Sequence, residues 1–145
     1  MGHVYAGITI TNSGDAYMAK QGALPNEKVR TMTVNALVDS GAMTLTIGEA
    51  IAGQLDLTVK DQVNVSLADG SLTKCDLVGP VDIRFKNRIT SCLALVLPGA
   101  DEVLLGVIPL EGMDVMIDPN TQQLVLPPER PYRAGMKVKS VRLSA

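Results

Sequence analysis

The sequence predicts a single all-β domain that contains one or two short helices. Short runs rich in β-branched residues are repeatedly broken by Gly, Pro, Asn and Asp, a pattern typical of strands joined by tight turns. The chain has 145 residues, of which 46% are hydrophobic and 19% charged, and this length and composition fit one globular domain. Only 3% of the residues are aromatic, so the core must be aliphatic.

In the first half of the chain, alternating or β-branched runs predict three strands, at Val4–Thr11, Val29–Val38 and Thr44–Ile47. The stretch Asn12–Lys28 mixes Gly, Pro and charged residues without a clear period, which predicts a long loop or an irregular hairpin. Residues 39–42 predict a tight turn between the second and third strands. Apolar residues at helical spacing predict a short helix at Glu49–Leu55.

In the second half, the sequence predicts three hairpins, which pair Gln62–Leu67 with Leu72–Val78, Val81–Phe85 with Ile89–Leu97, and Met116–Asp118 with Gln123–Leu126. The Asp-Gly pair between the first two of these strands is a strong hairpin signal. A proline near its start favours a short helix at Pro109–Met116. We expect Glu111 and Asp114, which flank this helix, to be solvated.

From Pro127 onward the composition shifts to Pro, Arg and Lys, so we interpret residues 127–145 as an arm that leaves a domain formed by residues 1–126. The basic residues of this arm are Arg130, Arg133, Lys137, Lys139 and Arg142. Two interpretations of the arm remain open: a solubilising extension, or a segment that binds a partner or stabilises a dimer.

Composition excludes several classes of function. The net charge is -2 and the chain has no Trp, three Tyr and one Phe, so it offers neither a basic surface for phosphates nor aromatic platforms for bases. The single histidine, His3, lies near the start of the chain, which argues against a Ser-His or Cys-His mechanism. The same count leaves too few ligands for a zinc site, and we expect neither a metal nor a cofactor.

Membrane insertion and secretion are also not expected. The longest uninterrupted apolar run, Cys92–Leu97, ends at Pro98 and is too short to span a bilayer. The two cysteines, Cys75 and Cys92, are far apart, and no secretory-type segment begins the sequence, which together predict reduced thiols in a cytoplasmic protein.

The most distinctive feature is an acid that directly follows a hydrophobic strand. In Ala36-Leu37-Val38-Asp39-Ser40-Gly41-Ala42, the strand ends at Asp39 and the small residues after it let backbone N–H groups approach the carboxylate. Carboxylates are the remaining route to catalysis in a chain without usable histidines. Asp-Ser-Gly also occurs in ordinary turns, so this motif alone does not establish a catalytic role.

Two further features follow in a specific order. A hairpin with a glycine-containing tip, Ala68–Ser71, is followed by Leu104-Leu105-Gly106, an apolar-apolar-Gly segment before a short helix. This ordered set resembles the retropepsin-like family, the single-lobed aspartic proteases of retroviral type, and the chain looks like a bacterial branch of it. The resemblance covers roughly Thr31 to Leu126. It implies a closed β-barrel-like acid protease fold with one lobe per chain.

The resemblance also implies a role for each matching residue. Asp39 matches the catalytic aspartate, and Ser40, Gly41 and Ala42 match the rest of the active-site loop, in which the hydroxyl braces the loop against its partner. Leu104, Leu105 and Gly106 match the segment that supports this loop. Ala68, Asp69, Gly70 and Ser71 match the tip of the flap that covers the substrate.

The chain departs from the family pattern in two respects. It has Ser40 where the family more often has Thr, and this removes a methyl contact beneath the active site. The stretches Asn12–Lys28 and Pro127–Ala145 also exceed a minimal viral protease, whose termini often form the dimer interface.

Aspartic protease chemistry needs two carboxylates around one water, and the chain contains a single Asp-Ser-Gly-Ala motif. The resemblance therefore implies an obligate homodimer in which Asp39 of each copy contributes to one active site that hydrolyses peptide or protein substrates. Two alternatives remain open. One is a catalytically silent retropepsin-like module for dimerisation or peptide binding, and the other is a small β-barrel binding domain unrelated to proteases.

Overall fold

The computed structural model describes residues 2–139, which form nine β-strands and three α-helices. The strands are β1 (Tyr5–Asn12), β2 (Thr31–Val38), β3 (Leu45–Ile47), β4 (Val59–Ser66), β5 (Leu72–Phe85), β6 (Arg88–Val96), β7 (Val103–Leu105), β8 (Met116–Asp118) and β9 (Gln123–Val125). The helices are α1 (Ser13–Lys20), α2 (Glu49–Gln54) and α3 (Val107–Met113). None of the helices within residues 2–139 is long and apolar enough to cross a membrane.

Six of the strands close into a barrel. The hydrogen-bonded order is β1-β2-β7-β3-β6-β5, and pairing of β5 with β1 completes the ring. β4 pairs with the first half of β5 and extends outside the ring, while β8 and β9 form a separate two-stranded sheet. The predicted fold class, all-β with a closed barrel and few short helices, is therefore confirmed.

Alternation along the strands fills the barrel with aliphatic side chains. Inward residues of β1 such as Ile8 and Ile10 are buried, whereas their neighbours in sequence are more exposed. The short strands β3 and β7 are buried almost throughout because the other strands of the barrel surround them. The buried core is continuous, and Phe85 is its only aromatic member among the described residues.

The loop expected at Asn12–Lys28 is wrong, because this stretch contains α1 and a 3-10 turn at Asn26–Lys28. The Asn12 side chain begins α1 by accepting a hydrogen bond from the Asp15 amide at 3.0 Å, and it also donates to the Leu55 carbonyl at 2.8 Å. No residue of α1 is buried, so the helix lacks the apolar stripe by which an amphipathic helix is recognised.

Other element boundaries also differ from the expectation, most clearly in β5 and α3. The strands predicted at Leu72–Val78 and Val81–Phe85 are one strand, β5, in which the register against β6 shifts between Val78 and Val81. α3 begins at Val107 rather than at Pro109 and ends at Met113, because Asp114 adopts a left-handed conformation with φ 53°. Asp114 is half-buried rather than solvated and forms an ion pair with Arg130 at 2.6 Å.

The first part of the basic arm folds back onto the rest of the chain. Arg130 contacts Asp114, and the Asn87 side chain donates to the Pro131 carbonyl at 3.0 Å. Tyr132 and residues 136–139 are exposed. Residues 140–145, which include Arg142, lie outside the described part of the chain.

Candidate active site

The structure holds Asp39 at the point where β2 leaves the barrel. The Asp39 amide donates to the Leu105 carbonyl at 3.0 Å, which continues the pairing between β2 and β7 by one residue. Its carboxylate oxygen Oδ1 accepts a hydrogen bond from the Gly41 amide at 2.9 Å, and its carbonyl accepts from the Ala42 amide at 3.1 Å. The turn therefore fixes the backbone of Asp39 and orients its half-buried carboxyl group.

The loop of residues 39–44, which we name the active-site loop, joins β2 to β3 and crosses the end of β7, the strand that lies between them. β7 pairs in parallel with β2 and antiparallel with β3, so the loop that joins β2 to β3 must pass over the end of β7. Such a crossing brings backbone against backbone, and Gly106 is the residue at the contact. A Cβ atom on Gly106 would lie 2.4 Å from the Thr44 carbonyl oxygen and 2.5 Å from that of Ala42.

The first turn of α3 also supports the loop. The Val107 amide donates to the Ala42 carbonyl at 2.9 Å, and the Ile108 amide donates to the Met43 carbonyl at 2.8 Å. Amide groups in the first turn of a helix have no partner within that helix, so here they bind the loop instead. The Leu104-Leu105-Gly106 segment and the helix after it thus form the floor on which Asp39 rests.

Beside Asp39 lies an open cleft with a volume of about 1190 Å³. One wall comes from the active-site loop and the start of α3, another from β6, and a third from β4 and the residues that follow it. The lining residues are Asp39, Gly41, Ala42, Met43, Thr44, Thr46, Val63, Asn64, Val65, Ser66, Leu67, Ala68, Leu77, Ser91, Cys92, Leu93, Leu95, Leu97, Leu104 and Ile108. Asp39 is the one carboxylic acid in this lining, and most of the other side chains are aliphatic.

The predicted flap is a hairpin whose tip partly reaches the cleft. Leu67 and Ser71 close the turn through a backbone hydrogen bond of 2.8 Å, and Gly70 has φ 85°, a conformation that suits glycine. Asp69 accepts hydrogen bonds from the Ser71 side chain at 2.6 Å and the Ser71 amide at 2.9 Å, which lower the pKa of Asp69. Ala68 lines the cleft, whereas Asp69, Gly70 and Ser71 are exposed beyond the lining.

Of the predicted site residues, the structure brings Asp39, Gly41, Ala42, Leu104 and Ala68 into one cleft. The other members have different positions. Leu105 and Gly106 are buried beneath the loop, and Ser40 is exposed outside the lining.

The wall formed by β6 and by Leu97 just after it is not among the predicted site residues. Leu93, Leu95 and Leu97 face the cleft at every second position, and this alternation is visible in the sequence although nothing in it says which face meets Asp39. Thr44 joins this wall to the active-site loop, because its hydroxyl donates to the Leu93 carbonyl at 2.6 Å. Burial raises the pKa of the neighbouring Cys92 thiol, an effect that hydrogen bonding to Thr44 partly opposes.

A carboxylate in a glycine-containing loop, supported by a strand that lies within a closed barrel, defines the single-lobed acid protease class. A family model described as aspartyl protease matches residues 26–108, which is more than half of the chain. The chain therefore belongs to the aspartyl protease family, as a retropepsin-like member. No curated protein matches it. The matched segment begins after α1 and ends at Ile108, so it contains Asp39, the Leu104-Leu105-Gly106 segment and the start of α3. The alternative of an unrelated β-barrel domain is excluded.

Proposed function

We propose that this protein is an aspartic endopeptidase that acts as a homodimer, with Asp39 of each copy in one shared active site. The observation that carries the proposal is that Asp39 is the one carboxylic acid lining an otherwise largely aliphatic cleft. One carboxylate cannot serve both as the base that activates water and as the acid that protonates the peptide carbonyl. A second copy, related by a twofold axis through the active-site loops, supplies the other group.

The surface around the loop supports this assembly. Met43 is 73% exposed and Ile108 is 46% exposed, although both are large apolar residues and their backbones are hydrogen-bonded to each other. Adjacent apolar side chains that remain exposed beside Asp39 suit a surface that a second copy covers. The exposed Ser40 hydroxyl lies in the same loop, where it is free to bond with the loop of the second copy.

The chemistry follows from bringing two carboxyl groups together. Two like charges at short distance cannot both ionise, so the pair holds one proton between them. The ionised group takes a proton from water as the water oxygen bonds to the peptide carbon, and the protonated group donates to the carbonyl oxygen. The tetrahedral intermediate then collapses: the C–N bond breaks and the amine nitrogen leaves with a proton from the pair. A hydroxyl of the intermediate returns its proton to the pair as the new carboxyl group forms, so the pair again holds one proton.

The cleft favours extended peptides with aliphatic side chains. β4 pairs on one side with β5, and among residues 2–139 no strand pairs with its other edge, which can therefore pair with the backbone of an extended peptide. Side chains of such a peptide would alternate toward the leucines of β6 and the valines of β4.

The decisive experiment compares the wild type with Asp39→Asn on a denatured protein substrate across about pH 3 to 7, where a carboxylate pair titrates. We expect cleavage to fall by about 10²–10⁴-fold, the scale of acid–base catalysis. Asp101→Asn, which changes an exposed carboxylate outside the cleft, is the matched control and should retain activity. If the wild type does not cut while it forms a folded dimer, the chain is a silent dimerisation or peptide-binding module.

The shared site has a separate test. Excess Asp39→Asn protein, mixed with a fixed amount of wild type, converts wild-type homodimers into heterodimers that hold one carboxylate. We expect activity to decrease as the inactive variant is added, and Asp101→Asn to leave it unchanged or raise it. Activity that stays constant under excess Asp39→Asn would mean that each chain works alone.

We also propose a cytoplasmic location. Both cysteines are free, with Cys75 buried and Cys92 half-buried, which suits a reducing compartment. Fractionation of the cells that make the protein tests this directly, since recovery outside the cytoplasmic fraction would contradict it.

A further inference from the structure

The C-terminal segment binds the end of α3 through two residues, Arg130 and Gly135. The Asp114 carboxylate accepts hydrogen bonds from Nε of Arg130 at 2.6 Å and from Nη2 of Arg130 at 3.0 Å. The Gly135 amide donates to the same carboxylate at 2.8 Å. Residues 127–135, which we name the strap, are therefore closed into a loop around one acid at the point where α3 ends.

The strap also covers a buried cation. Arg88, at the start of β6, is 1% exposed, and its Nη2 donates to the carbonyl oxygen of Arg130. Its Nε and Nη1 have no partner within the described residues. The side chain of the neighbouring Asn87 donates to the Pro131 carbonyl at 3.0 Å. A buried guanidinium is costly unless a negative charge is near, and Arg88 lies close enough to Asp114 to lower the pKa of that carboxyl group.

The helix to which the strap is fastened also supports the active-site loop. At one end of α3, the amides of Val107 and Ile108 bond to the loop carbonyls of Ala42 and Met43. At the other end, Asp114 binds the strap. A helix of seven residues is about 10 Å long and moves as a rigid element, so a displacement of one end also displaces the other end.

We propose that the strap is a positioning device for the active site, in which Asp114 and Arg130 hold α3 in place and α3 holds the loop of Asp39. Its residues are then part of the working domain rather than a tail that leaves it. The family match ends at Ile108, within the first turn of α3, and does not include the strap. Arg130 and Asp114 act as positioning residues and contact neither water nor substrate at the active site.

The geometry and partial burial of the ion pair suit this role. The Asp114 side chain is 17% exposed and that of Arg130 is 40% exposed, so solvent screens the pair only in part. Exposed ion pairs contribute little to stability, but bidentate Arg–carboxylate pairs are the ones that fix an orientation. Lysine in place of Arg130 would keep the positive charge but lose the planar guanidinium that binds both carboxylate oxygens of Asp114.

Amide hydrogen exchange on the full chain tests the strap without any substrate. We expect Arg130→Ala to raise exchange at Val107 and Ile108 by about tenfold, while the strands of the barrel keep their protection. Arg133→Ala removes an exposed arginine from the same strap and is the matched control, for which we expect no change. Unchanged exchange at the start of α3, or an equal increase throughout the barrel, would overturn the proposal.

The activity test rests on the proposed function, whereas the exchange test does not, so the failure of either can be recognised. In an active enzyme, Arg130→Ala should lower kcat by about five- to tenfold with KM changed less than about twofold, because the cleft walls stay intact. Arg130→Lys should recover part of this loss. Kinetic constants that match those of Arg133→Ala would overturn the positioning role, even if the protease itself is confirmed.

Discussion

Replacement of Gly106 by alanine tests whether close backbone packing against Gly106 supports the active-site loop. Gly106 has φ -94°, which any residue adopts, so the cost of a side chain comes from contact and not from backbone conformation. The added Cβ would lie 2.4 Å from the Thr44 oxygen, 2.5 Å from the Ala42 oxygen and 2.8 Å from the Ala42 carbon. All three are backbone atoms, which cannot rotate away as a flexible side chain can.

The size of the effect can be estimated from the structure. Overpacking in a closed site costs about 1–3 kcal/mol. The loop must move away from Gly106, which stretches the bonds from Val107 and Ile108 to its carbonyls, and each such hydrogen bond contributes about 1 kcal/mol. We therefore expect Gly106→Ala to lower the free energy of unfolding by about 3–5 kcal/mol.

Urea unfolding of Gly106→Ala and of a control, Gly53→Ala, measures this. Both are compared at one protein concentration, because the stability of the proposed homodimer would depend on concentration. Gly53→Ala is the matched control: Gly53 lies within α2, its Cβ would have no atom within 4 Å, and alanine there should stabilise the fold by about 0.5–1 kcal/mol. The two substitutions should therefore change the free energy of unfolding in opposite directions. A midpoint for Gly106→Ala at or above that of the wild type would refute the idea that the loop is held by close backbone contact.

Three further predictions concern the cap of α1, the strap and the thiols. Asn12→Ala removes the cap of α1 and should lower the free energy of unfolding by about 1–2 kcal/mol. Urea unfolding measures this, and an unchanged midpoint would contradict it. Hydrogen bonding to Arg130 lowers the pKa of Asp114 from 3.8 to about 2. The stability that Asp114 adds over Asp114→Asn should thus be full above its ordinary pKa and disappear as the pH falls to about 2, and an advantage that grows on acidification would contradict it. Burial raises the pKa of both thiols, so alkylation of the native protein at neutral pH should be slow, and half-buried Cys92 should react before Cys75; faster reaction at Cys75 would show that its strand opens.

Local chemistry explains why much of the barrel and the centre of the site could be predicted. β-strand alternation predicted the strands, and the Asp69-Gly70 turn predicted the flap hairpin, because a hairpin is specified by residues near each other in sequence. The position of Asp39 at the end of a strand was predicted for the same reason. Gly79-Pro80 resembles a strand break, yet β5 continues through it because β6 pairs with both halves.

Two kinds of feature could not be predicted from the sequence: a helix without a buried face, and contacts between residues that are far apart in the chain. The capping of α1 was visible in Asn12 and Asp15, but without a buried face the helix has no periodic signal. The leucines of β6 line the same cleft as Asp39 only because the barrel closes. The pairing of Arg130 with Asp114 spans 16 residues and depends on a left-handed turn at Asp114, which no spacing rule contains.

Closure of the barrel also protects the chain from association with other sheets. Each of the six ring strands has neighbours on both sides, so within residues 2–139 the large sheet has one free edge, along β4. A free edge is a template for uncontrolled strand addition, and here Lys60 and Asp61 place opposite charges on it while Gln62 and Asn64 add polar side chains. An approaching strand must therefore satisfy these groups as well as the backbone. The free edge of β4, along which we propose that a peptide pairs, is thus also an edge on which indiscriminate aggregation is opposed.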